Sequence, residues 1–86
     1  MGETRVGVID HWFGNIKVAG VEVTDGQLNV GDRIRICGHT TDLFATVESM
    51  QLEHEAVLAA SPGDKVGIRV PDRVRVGDDV FVVTDD

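Results

Sequence analysis

The chain has 86 residues, a formal charge of −7 and 42 % apolar residues, enough to collapse as one small domain and too many for a disordered tail. A chain this short buries roughly 60–65 % of its unfolded surface, so its core is thin. The acidic balance argues against a general nucleic-acid binder, and the single cysteine, Cys37, excludes an internal disulfide framework and a multi-cysteine zinc site.

Arg5–Asp10 alternates, with Val6 and Val8 on one face, and reads as the first strand. His11-Trp12-Phe13-Gly14-Asn15 interrupts it, and Gly14-Asn15 has the chemistry of a hairpin turn. The second strand is Ile16–Val23. Its alternation slips by one near Ala19-Gly20, the mark of a bulge or a barrel corner. Thr24–Asn29 is a polar connection under which Leu28 is expected to tuck as a plug.

Val30-Gly31-Asp32 then forms a turn that feeds a third strand, with Ile34 and Ile36 facing one way and Arg33 and Arg35 the other. The same device returns at Pro62-Gly63-Asp64 and Val76-Gly77-Asp78. Each copy is expected to set register. The third strand ends at Cys37-Gly38, His39–Ala45 is read as a loop and Thr46–Leu52 as a fourth strand with another phase slip. Glu53–Ala60 is too short for a stable helix and is expected to be a loop that lays Val57 and Leu58 over one end of the core. Lys65–Val70 and Asp79–Thr84 are the fifth and sixth strands, and Asp85-Asp86 is a charged end. Short strands at regular turn spacing predict a small all-β barrel.

Thr46-Val47-Glu48-Ser49-Met50-Gln51-Leu52, His54, Val57 and Ala60-Ser61-Pro62-Gly63-Asp64-Lys65-Val66-Gly67 resemble the second domain of translational GTPases, as does the turn at Val30-Gly31-Asp32. The run Ile34, Ile36, Gly38-His39-Thr40-Thr41-Asp42, then Val47, Ser49-Met50-Gln51, is similar to short translation elongation factor-like proteins. A similar domain closes the collagenase-like peptidase-family proteins, some of which act in tRNA hydroxylation. The resemblance runs from about Val6 to Val83. It implies a closed six-stranded antiparallel Greek-key β-barrel of the translation-factor domain II type, one domain over residues 1–86. No Gly-x-x-x-x-Gly-Lys-Ser/Thr loop is present, so no nucleotide and no GTP hydrolysis are expected. Where the elongation factors carry a basic residue after the first strand, Val8–Gly14 has none.

The site inventory predicts no enzyme, no cofactor and no metal. His11, His39 and His54 lack ligand spacing. Cys37 reads as a small half-buried thiol, with a redox or metal role shared with His39 as the sharper alternative. Partner-binding candidates are Trp12 and Phe13, of which one caps the barrel and the other is exposed, and His39, Thr40, Thr41 and Asp42. Those four make either a self-bonded turn or a polar rim. Arg33, Arg35, Lys65 and Arg69 are the candidates for an RNA-binding stripe, or else a solvated face. The expected function is a non-catalytic interaction module that docks on a protein or ribonucleoprotein, with direct RNA binding as the alternative. No signal peptide or membrane segment is seen, and a cytoplasmic location is expected.

Overall fold

A computed structural model describes residues 2–84; the charged end read at Asp85-Asp86 lies outside them. The described residues contain strands and turns and no helix. The strands are β1 (Gly2–Phe13), β2 (Val18–Val23), β3 (Leu28–Asn29), β4 (Arg33–Cys37), β5 (Asp42–Thr46), β6 (Met50–Leu52), β7 (Glu55–Ala56), β8 (Ala59–Ala60), β9 (Lys65–Arg69) and β10 (Asp79–Thr84). Eight form one sheet in the order β5-β4-β10-β1-β2-β9-β6-β7, and β3 pairs with β8 in a separate ribbon. Neighbouring strands run antiparallel throughout.

Two expectations are corrected here. The sheet is open, with β5 and β7 as its edges, and not a closed barrel; and it has eight strands plus a two-stranded ribbon, not six. The reason lies between residues 42 and 60. The stretch read as one strand from Thr46 to Leu52 is the end of β5, a linking Val47–Ser49, and β6. Val47 and Met50 are both buried, which residues three apart cannot be on one face of a continuous strand. That break explains the phase slip and leaves β5 and β6 without a shared ladder.

The slip at Ala19-Gly20 has a similar origin, displaced to the neighbouring strand. Ala19, Gly20 and Val21 are all buried, and the irregularity sits in β1, where register shifts between Ile9 and His11. A second shift between Arg5 and Gly7 lets the same long strand leave β10. β1 therefore bends, its first half laddered to β10 and its second to β2.

The three Gly-Asp turns share one construction. Gly31, Gly63 and Gly77 have φ of 97°, 96° and 96°, the left-handed conformation of the third residue in a type II turn. In each, the aspartate N–H donates to the carbonyl three residues back: Asp32 to Asn29 (3.1 Å), Asp64 to Ser61 (3.0 Å), Asp78 to Arg75 (3.1 Å). Its carboxylate accepts from that same residue's N–H, at 2.9 Å in all three. The turn then clamps a distant buried residue with two backbone bonds. Gly31, Gly63 and Gly77 donate to the carbonyls of Val47, Val23 and Ile9 (2.7, 2.8 and 2.8 Å), and those residues donate back to Asp32, Asp64 and Asp78 (2.9, 2.9 and 2.8 Å). Each copy thus fixes a strand start against the chain around a core residue.

The core is Val, Ile and Leu with Met50, as the scarcity of aromatics requires. Burying one such side chain contributes about 1.5–3 kcal/mol. Leu28 is buried as the expected plug, and Val57 packs on the core, but Leu58 points outward and is 80 % exposed. Asp78 is the buried acid. Its carboxylate occupies the space where a Cβ on Gly38 would lie, so the β4–β5 hairpin closes only with glycine there.

Candidate interaction surfaces

Trp12 and Phe13 end β1, ahead of the turn rather than in it. Adjacent strand residues face opposite ways. Trp12 accordingly packs against the core, and Phe13 is 46 % exposed. Phe13 stacks in a tilted manner on His11, with ring centroids 4.2 Å apart. Ile16, in the turn that follows, is 57 % exposed.

These side chains form one wall of a groove of about 440 Å³ on the outer face of the sheet. Its floor is bared by Gly20 and Gly67, which pair directly across β2 and β9. The opposite wall is the β6–β7 hairpin, with Glu53 and His54. Both residues of that two-residue turn have positive φ, 51° and 67°, the geometry of a type I′ turn. Sequence reasoning missed Ile16, Glu53, His54 and the two glycines as groove residues. Two glycines in strands that pair were a usable signal.

His39 and Thr40 are the exposed tip of a tight hairpin between β4 and β5, closed by Gly38 N–H donating to Thr41 O at 2.7 Å. Thr41 is buried. Asp42 turns away from the tip and binds Arg35 bidentately, with Nε–Oδ1 at 2.8 Å and Nη2–Oδ2 at 3.2 Å. Arg35 also reaches Glu3 at 3.1 Å. The Arg35 hydrogen bond, aided by its charge, holds the Asp42 carboxyl below its ordinary range, and the two carboxylates raise the Arg35 guanidinium. The stretch from Gly38 to Asp42 is therefore divided between a tip, a buried threonine and an ion pair.

Arg33 and Arg35 lie on β4, and Lys65 and Arg69 on β9, with β10, β1 and β2 between. The β4 pair frames Phe44, the two guanidinium carbons lying 5.4 and 5.6 Å from its ring centre. Cys37 is half-buried, its cross-strand neighbours being Asp42 and Asp79, while His39 sits out at the tip. Among the described residues no three His, Cys, Asp or Glu side chains come together as metal ligands would. No helix among them is long and apolar enough to cross a membrane.

The chain is 34 % identical over 80 residues to an uncharacterised protease of Methanocaldococcus jannaschii and, at the same identity and length, to a collagenase of Porphyromonas gingivalis. These matches cover 92 % of this chain but 19 % and 22 % of those proteins, so the chain spans about a fifth of their length. Among solved structures, the C-terminal domain of a U32 peptidase from Geobacillus thermoleovorans superposes with a TM-score of 0.85 at 16 % identity, covering 92 % of this chain and 91 % of that one. The bacterial selenocysteine-specific elongation factor EF-Sec gives 0.69 at 18 %, covering 91 % of this chain and 14 % of its own. At such identities the structures speak for the fold. The sequence model of elongation factor Tu domain 2 matches residues 17–78, most of the chain, and on that match the protein belongs to the elongation factor Tu domain 2 family.

Proposed function

We propose that this chain is a non-catalytic interaction module that docks on a protein or ribonucleoprotein partner through the groove between the β1–β2 and β6–β7 hairpins. One observation carries the reading: Phe13 and Ile16 stand exposed beside a floor of two glycines, an apolar recess that the fold does not use for its own core. The relatives' names, protease and collagenase, supply a context in which such a domain seats a substrate or a companion chain, with cleavage left to other parts. The corresponding context for the module is a cytoplasmic one, in translation or tRNA modification.

The test is affinity capture from lysate, with and without nuclease, comparing the wild type with a Phe13→Ser/Ile16→Ser double variant. The expected result is a specific partner retained by the wild type and lost by the variant. Equal capture by both would remove the groove from the reading. Capture abolished by nuclease would favour the alternative, direct RNA binding, for which the framing of Phe44 by Arg33 and Arg35 is the supporting geometry.

A further inference from the structure

Strand β5 ends the sheet, and its outer edge has no strand beside it. The bonds Gly38 N–H to Thr41 O and Val47 N–H to Asp32 O fix the phase of the β4–β5 ladder. By the alternation of an antiparallel pair, Leu43 and Ala45 bond to β4, and the N–H and C=O groups of Asp42, Phe44 and Thr46 point away from it. Among the described residues none of these three makes a backbone bond outside the ladder. A cavity of about 320 Å³ lies against this edge, lined by Ala45, Thr46 and Glu48 on one side and Arg69, Val70 and Pro71 on the other. No β4 residue contributes to it, so the cavity flanks the free edge of β5. On the outer face, Phe44 is 49 % exposed under Arg33 and Arg35. Arg35 is engaged by Asp42 and Glu3, but among the described residues Arg33 and Arg69 meet no carboxylate.

We propose that the β5 edge accepts one further strand from a protein partner: an extended segment in which acidic and apolar residues alternate. Main-chain bonds to Asp42, Phe44 and Thr46 supply the register. Residues of the added strand then alternate faces. Those beside Phe44 and Thr46 continue the outer rows that hold Arg35 and Arg33, where a carboxylate meets the unpaired guanidinium of Arg33. Those beside Leu43 and Ala45 turn inward over the cavity, toward Val70 and Pro71. Charge decides against a second copy as the occupant. Pairing two β5 edges sets two arginine-bearing β4 faces side by side, with no added carboxylate for Arg33. The other sheet edge, β7, is only two residues long. This site is separate from the groove at Phe13 and Ile16.

The experiment is an amide NMR titration of the full chain with an acetylated seven-residue peptide that alternates glutamate with isoleucine. The expected result is shifts centred on Asp42, Phe44 and Thr46, with amide exchange at Phe44 and Thr46 slowed at least tenfold. Arg33→Glu should weaken the affinity at least tenfold. Phe44→Pro removes a free-edge donor without touching the β4 ladder and should abolish binding, whereas Phe13→Ser/Ile16→Ser should bind as the wild type does. The same peptide N-methylated on the bonding edge should fail against the wild type, which keeps the test decisive if Phe44→Pro does not fold. The proposal is overturned if lysine in place of glutamate binds equally, if the shifts gather at Phe13 and Ile16, if Arg33→Glu and the methylated peptide change nothing, or if the edge becomes protected with protein concentration alone.

Discussion

Arg35 carries the densest charge contact on the surface, donating two hydrogen bonds to Asp42 and two to Glu3. All three side chains are partly open to water, so the network contributes little at neutral pH beyond fixing the β5 side chains over β4. Its sign with pH is nonetheless defined. Asp42 is lowered from its ordinary 3.8, chiefly by the Arg35 hydrogen bond. A lowered acid contributes stability that is present above its unfolded value and lost as pH falls through its folded one. Urea unfolding of wild type and Asp42→Asn should therefore differ above that range and converge as the pH drops below it. A gap that stayed constant to the acid limit would mean that Asp42 acts through packing and not charge. At this scale the sequence was informative about the Gly-Asp turns, because glycine and aspartate have narrow reasons to stand together. It did not reveal that each turn clamps Val47, Val23 or Ile9, since nothing local in those valines and isoleucine marks a reciprocal backbone bond.

Elements with clean alternation, β4, β9 and β10, were readable because period two and a preceding turn agree. The short ones were not. Two residues such as Glu55-Ala56 or Ala59-Ala60 hold no period, and the polar tip before β5 made that strand look like the continuation of a loop. The β6–β7 turn was hidden for a sharper reason. A two-residue hairpin with both φ positive favours Asn-Gly, yet here it is Glu53-His54. Left-handed conformations cost such residues about 1–2 kcal/mol each. Strain of this kind next to a recess is consistent with the proposed groove, since strained backbone gathers at functional sites. Replacing the pair by Asn-Gly should stabilise the fold by about 1–2 kcal/mol. Thermal unfolding should then rise by about 4–8 °C for each kcal/mol in a domain of this size. The same variant should capture less partner through the groove, because one wall has lost both side chains. Gain in both would separate the hairpin from the proposed function.

At the scale of the whole molecule the closure of the sheet was the least legible property, because it depends on whether its two edge strands, β5 and β7, meet. The sequence pattern is the same in either case: apolar residues face inward whether the last seam is bonded or not. The two architectures differ in amide exchange. Strands β1, β2, β10 and β9 have neighbours on both sides, and the clamped N–H groups of Ile9 and Val23 lie within this centre. They should exchange only through global unfolding, at the full stability of roughly 4–13 kcal/mol expected for a domain of this length. Leu43 and Ala45, bonded to β4, should show intermediate protection because an edge strand opens locally. Phe44 and Thr46, facing the free edge, should exchange at close to the unprotected rate in the isolated chain. A closed barrel would instead protect Phe44 and Thr46 along with their neighbours. The alternation fast, slow, fast along β5 is thus the signature of the open seam, and its disappearance on adding a partner strand would report occupation of that same edge.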